Sequence, residues 1–162
     1  MELMVVVAIA MILVAIAAPS FRDLIDRQRV STYAADMYGG LVFARAEAIR
    51  RGQRVDFLPA VGTDWATGWA VSVPGPGVAA ATVVYSHPTG PAGLVVTQAL
   101  SQGNVPSVAY DGTGRTRLAA AAATPVSGQW TLAINSQVRV LKINLLGRPS
   151  LCNPAVATTP PC

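Results

Sequence analysis

Hydrophobic residues are laid along this 162-residue chain in three successive patterns, and each predicts a different element. From Leu3 to Ala18 they run without a charge or a break, as LMVVVAIAMILVAIAA. From Ser20 to Arg51 they recur at spacings of three, four and seven, at Phe21, Leu24, Ile25, Ala34, Tyr38, Leu41, Val42, Ala48 and Ile49. That is the one-sided stripe of an amphipathic helix. Beyond Gly52 they alternate, or gather in short β-branched and aromatic runs between Gly, Pro, Asn and Asp, as strands and turns do.

The first two patterns predict one helix from about residue 3 to 51, apolar all round in its first half and one-sided in its second. Opposite charges at Arg22 and Asp26, and at Asp23 and Arg27, stand four residues apart, the spacing of helix ion pairs. Arg50 and Arg51 suit the negative end of the helix dipole, and Gly52 the cap beyond it. Pro19 removes one backbone hydrogen bond and crowds the preceding turn, which predicts a hinge with a bend or local melting near residues 15–18. The alternative is that Pro19 ends a first helix and Ser20 caps a second.

The third pattern predicts strands at Trp69 to Val73, Val83 to Tyr85, Leu94 to Thr97, Val108 to Tyr110, Trp130 to Ile134 and Val138 to Ile143, the last two joined through Asn135-Ser136-Gln137. Turns are expected at Pro74 to Gly77, Pro88 to Pro91 and Asp111 to Gly114. Ala119 to Ala123 is of low complexity and reads as a loop or a short helical turn. The fold class is therefore α+β, a long N-terminal helix packed on an antiparallel β-sheet head. Its regions are an apolar helix at 1–19, the amphipathic half of the same helix at 20–52, and a β-rich head at 53–162.

Sixteen apolar residues reach roughly 24 Å along a helix, a little short of a bilayer core of about 30 Å, yet the segment is of membrane class. A cleaved export signal is the alternative, with small residues at Ala15 and Ala17, but no Lys or Arg precedes Leu3. Glu2 at the rim of this run is costly if carried into lipid, about 2.5 to 3.5 kcal/mol at the bilayer centre. It calls for a cationic partner or a place at the headgroup level.

Charge adds a second theme. Eleven Arg and one Lys against eight acids give +4, and after Asp111 come Arg115, Arg117, Arg139, Lys142 and Arg148 with no acid among them. If three of these share a side they form a C-terminal basic face that suits a polyanion, since the arginine fork matches phosphate; from the residues alone the plain surface of a basic protein is the simpler reading. Catalytic motifs are missing: no Gly-x-Ser-x-Gly, no His-Glu-x-x-His, no P-loop. The lone His87 lies between Ser86 and Pro88 without an orienting acid nearby in sequence, and no Cys/His cluster has metal-ligand spacing. The reading is a non-enzyme without cofactor, metal or small-molecule substrate. Cys152 and Cys162, ten residues apart at the C-terminus, suggest in an exported domain a disulfide worth up to about 3 kcal/mol that pins the tail; free thiols are the alternative.

The segment MELMVVVAIAMILVAIAAPSFRDLIDRQRV resembles the N-terminus of type IV pilins and type II secretion pseudopilins. On that resemblance Glu2 takes the place of the filament-assembly glutamate, fifth in the mature family sequence, which pairs with the N-terminal amine of a neighbouring subunit. It also implies that the first three or four mature residues and a basic leader are missing here; about four more residues would add roughly 6 Å of helix. Within that superfamily, LVFARAEAIRRGQRV (Leu41 to Val55), Trp65-Ala66-Thr67-Gly68-Trp69-Ala70-Val71 and Leu146-Gly147-Arg148-Pro149-Ser150-Leu151-Cys152 resemble the GspH/FimT subgroup. The resemblance implies a minor pilin or pseudopilin held in the bacterial inner membrane with its head in the periplasm. From there it would join other pilins in a type IV pilus, or a type II secretion pseudopilus.

FimT-like members have been linked to DNA capture through a C-terminal Gly-Arg-x-Arg element. Here the corresponding place reads Gly147-Arg148-Pro149-Ser150, without the second arginine, while Gly114-Arg115-Thr116-Arg117 has the right letters in an earlier loop. The candidate DNA-binding residues are accordingly Arg115, Arg117 and Arg148, with Arg139 and Lys142.

Overall fold

The structure is a computed structural model and describes residues 2–75, 80–103, 107–119 and 121–156. One helix, α1, spans Glu2–Arg51. It runs through Pro19 without interruption, so the expected local melting at residues 15–18 is not found. Gly52 stops it with φ +63°, its N–H on the Ile49 carbonyl and that of Gln53 on Ala48, a left-handed cap of the kind glycine supplies. Among the described residues no helix is long and apolar enough to cross a membrane.

Among the described residues the head follows as ten strands: β1 Val55–Val61, β2 Asp64–Val73, β3 Thr82–His87, β4 Val95–Leu100, β5 Val108–Tyr110, β6 Thr116–Leu118, β7 Ala121–Pro125, β8 Gly128–Ile134, β9 Gln137–Ile143 and β10 Pro149–Cys152. They form two sheets rather than one, ordered β3-β2-β1-β5-β6-β7 and β10-β9-β8-β4, with antiparallel pairing throughout. The hairpin β8–β9 closes on Asn135-Ser136 with Ile134 opposite Gln137 and Asn135 at φ +51°, a conformation Asn tolerates. Ala121 to Ala123, expected as part of a loop or short helical turn, belong instead to β7, with Ala121 paired to Leu118 and Pro125 to Arg117. The Thr116 hydroxyl reaches the Val126 carbonyl at 2.6 Å just past this strand, so tertiary pairing overrides the weak β preference of alanine.

Helix and sheets meet over one face of α1: Val30, Tyr33, Ala34, Met37, Leu41, Ala44 and Ala48 are buried, spaced by threes and fours. Only Ala34, Leu41 and Ala48 of the expected stripe lie there. Phe21, Leu24, Ile25, Tyr38, Val42 and Ile49 are exposed, because the helix carries apolar residues on two faces and periodicity alone does not say which the head covers. The expected Arg22–Asp26 and Asp23–Arg27 pairs are also absent among the described residues. Asp26 instead accepts from Asn135 Nδ2 at 2.7 Å, and Arg27 Nε donates to Gln137 Oε1 at 3.3 Å, fastening the helix to the β8–β9 turn.

Three tryptophans centre the core. Trp65 stacks on Phe57 with centroids 5.2 Å apart and meets Trp130 of the other sheet edge-on at 5.5 Å, while its indole N–H donates to Gln98 Oε1 at 2.7 Å. One side chain thus joins the two sheets. Trp69 reaches the helix because position 40 is glycine: a Cβ there would lie 2.3 Å from its ring.

Candidate functional site

Two surfaces carry the features that the core does not use. The first is the outer face of α1. Leu3, Met4, Val5, Val6, Ile9 and Met11 are exposed, as are Phe21 at 65%, Leu24 at 57% and, farther along, Val42, while the partly exposed Phe43 packs its ring on Tyr85. Apolar surface of this length along a single helix marks an interaction face. Glu2 is the first residue of α1; its side chain, like that of Pro19, lies outside the described atoms, so the structure adds nothing to the role expected of either.

The second surface lies at the other end of the helix and is built from two turns of one design. Asp111-Gly112-Thr113-Gly114-Arg115 links β5 to β6, and Asn144-Leu145-Leu146-Gly147-Arg148 links β9 to β10. In each, the leading side chain accepts from the backbone two and four residues on: Asp111 Oδ1 from Thr113 and Arg115 at 2.9 and 3.1 Å, Asn144 Oδ1 from Leu146 and Arg148 at 3.1 and 2.9 Å. In each, the glycine stands at φ +77° and donates to the leading residue's carbonyl, at 2.8 and 2.9 Å. Asp and Asn favour this local bonding, and only glycine takes that φ without strain.

These turns touch. A Cβ at Gly147 would fall 2.1 Å from the Gly114 carbonyl oxygen, and the Thr116 hydroxyl lies 3.0 Å from the Asn144 carbonyl. Arg45 of α1 donates Nε to the Gly114 carbonyl at 3.0 Å, and Tyr110 is buried beneath, its phenol pushed up by desolvation. Arg115 and Arg148, each directly after a turn glycine, are therefore brought to adjacent exposed positions with no side-chain partner among the described residues.

The other candidate cations fall differently. Arg117 is half-buried and donates to Asp111 Oδ2 at 2.9 Å. Burial works to raise the Asp111 carboxyl, but hydrogen bonds from Thr113 and Arg115 and the charge of Arg117 outweigh it and hold the group below its usual range. Lys142 shares a concavity of about 570 Å³ with Arg148, Asn144 and Ser150. Arg139 lies three residues away on β9, where alternation turns it to the opposite face, and donates to the Val138 carbonyl at 2.8 Å. So the five basic residues do not share a side. Arg45 was the residue that sequence reasoning missed; the repeated Asx-x-x-Gly-Arg spelling was the signal that would have paired the turns. At the end of α1, hydrogen bonds from Arg50 and Arg51 pull the Glu47 carboxyl down to about 2. Cys152 ends β10 and is not a free thiol; Cys162 lies outside the described residues.

Comparison with known proteins places this arrangement. The family model described as type II transport protein GspH matches residues 33–147. Among solved structures, the type IV minor pilin FimU of Pseudomonas aeruginosa is similar in two crystal forms, both at 20% identity. One has a TM-score of 0.66 over 82% of this chain and 95% of that one; the other has 0.62 over 80% and 97%. The minor pseudopilin EpsH of the Vibrio cholerae type 2 secretion system aligns at 14% identity and a TM-score of 0.49, over 78% and 98%. No curated protein matches the chain in sequence. At these identities the likeness to FimU is one of fold.

Proposed function

Because the chain belongs to the GspH/FimT family of minor pilins and pseudopilins, we propose that it is a filament subunit that joins other pilins through the outer face of α1 and helps to start or extend a type IV pilus. The observation that carries this reading is the set of uncovered apolar side chains at Leu3 to Val7, Ile9, Met11, Phe21 and Leu24, on the part of α1 that precedes Val30, where burial by the head begins among the described residues. Removing such a surface from water is worth about 25 cal/mol per Å², and neighbouring helices can supply the cover. Before assembly the apolar half rests in the inner membrane with the head in the periplasm, and in the filament Glu2 meets the N-terminal amine of a neighbour. A pseudopilus of type II secretion is the same role in a different machine.

The test is incorporation. Glu2→Ala is expected to remain in the membrane fraction and disappear from sheared filaments, and Leu24→Asp to do the same with a normally folded head. Filaments that contain either variant at the parental level reject the assembly role.

A DNA-binding role in the same filament is the second reading, favoured by the contact between the two Gly-Arg turns. Two exposed guanidinium groups on adjoining loops suit neighbouring phosphates, and each phosphate neutralised steepens the salt dependence by about one in the log–log slope. Arg115→Ala with Arg148→Ala should lower the slope by about two, whereas Arg117→Ala, whose fork is already held by Asp111, should lower it far less. No affinity at low salt, or affinity unchanged in the double variant, rejects DNA binding and leaves the structural role standing.

A further inference from the structure

His87 is the single histidine of the chain and ends β3, opposite Trp69 of β2. Its ring lies flat on the Trp69 indole, centroids 5.1 Å apart and planes 8° apart, and meets Tyr33 of α1 edge-on at 5.2 Å. Gly68, at φ +104°, lets the strand end come this close, since a Cβ there would fall 2.5 Å from the His87 carbonyl. Both ring nitrogens then face oxygen. Nδ1 is 2.9 Å from the Pro88 carbonyl and Nε2 is 3.3 Å from Asp36 Oδ2 on α1.

A carbonyl and an ionised carboxylate only accept, while a neutral imidazole has one N–H and one lone pair. Only the doubly protonated ring donates to both oxygens at once, and the Trp69 face beneath it favours a cation. We propose that His87 and Asp36 form a proton-dependent clasp that fastens α1, at Asp36, to the end of β3 and the loop after it. The groups around the ring are accounted for: Arg29, Tyr33 and Asp36 from α1, Trp69 from β2, and Pro88 and Thr89 from the loop. Together with Ile25, several of them bound a groove of about 400 Å³. Tyr33 is tied elsewhere, its hydroxyl donating to the Trp65 carbonyl at 2.6 Å. When the ring loses its second proton, the shorter bond to Pro88 keeps the remaining one, Nε2 presents a lone pair to Asp36, and the groove opens at that end. The contact belongs to the protonated form, so it is present on the acid side and lost on the alkaline side.

The clasp does not depend on the assembly role, and its test uses the full chain in detergent. Thermal unfolding at pH 5.5 and pH 8.0 is compared for the parent, Asp36→Asn and His87→Phe, alongside the ring-nitrogen NMR signals of His87. Asp36→Asn is expected to lower the midpoint by about 2–4 °C at pH 5.5 and to change it by less than half as much at pH 8.0, with both ring nitrogens protonated in the parent at pH 5.5. An equal loss at the two pH values, or a ring protonated on Nδ1 alone at pH 5.5, overturns the proposal. Asp36 is 45% exposed, so that variant folds whether or not His87→Phe does.

Discussion

Gly39 and Gly40 are neighbours on α1, and they show what separates its two faces. A Cβ added at Gly40 would strike Trp69 at 2.3 Å and Phe57 at 3.0 Å, whereas one added at Gly39 would meet nothing within 4 Å. The inner face is specified by shape, down to a position where no side chain fits. The outer face is specified by chemistry alone and leaves its apolar residues in contact with solvent. Composition does not distinguish the two, since Leu41 and Val42 are equally apolar; what differs is whether the head supplies the other half of the packing.

Substitutions on each face measure that difference. Leu41→Ala, fully buried, is expected to cost about 2 to 5 kcal/mol in denaturant unfolding. Gly40→Ala should cost about 1 to 3 kcal/mol from overpacking against Trp69, offset in part by about 1 kcal/mol of helix propensity. Gly39→Ala should gain that propensity with no clash and stabilise by up to about 1 kcal/mol; a loss there would show that the outer face is packed within the subunit. Val42→Ser should stay within about 0.5 kcal/mol while weakening filament incorporation. The last effect is on pH. The Glu47 carboxyl stands at about 2 against an ordinary 4.5, so its contribution is complete above pH 4.5 and lost as pH falls toward 2. The stability difference between the parent and Glu47→Gln should therefore fade over that acid range.

Much of this architecture was legible in the sequence. The single helix with its Gly52 stop and the strands around Trp69, Val108 and Trp130 followed from period and punctuation, because those signals are local. β1 was not foreseen, since Pro59 interrupts it. Pro59 is tolerated because β5 pairs only with Val55 to Phe57 and leaves that end of the strand free. β6, β7 and β10 are too short to carry a pattern and exist through their partners. The site divided in the same way. The basic residues were visible one by one, but the meeting of the Arg115 turn with the Arg148 turn depends on a contact between segments about 30 residues apart, and the capture of Arg117 by Asp111 on the tight fold of a turn that brings residues six apart together. His87 lacked an acid in sequence because Asp36 reaches it from 51 positions away.

The back-to-back seating of Gly114 and Gly147 makes the two hairpin tips a matched pair. Lengthening either tip by one residue would lift it from the other and take away the carbonyl that Arg45 holds. The spacing between their arginines is thus a property of the joint rather than of either loop. Grafting one tip onto another scaffold would transfer its letters without its geometry.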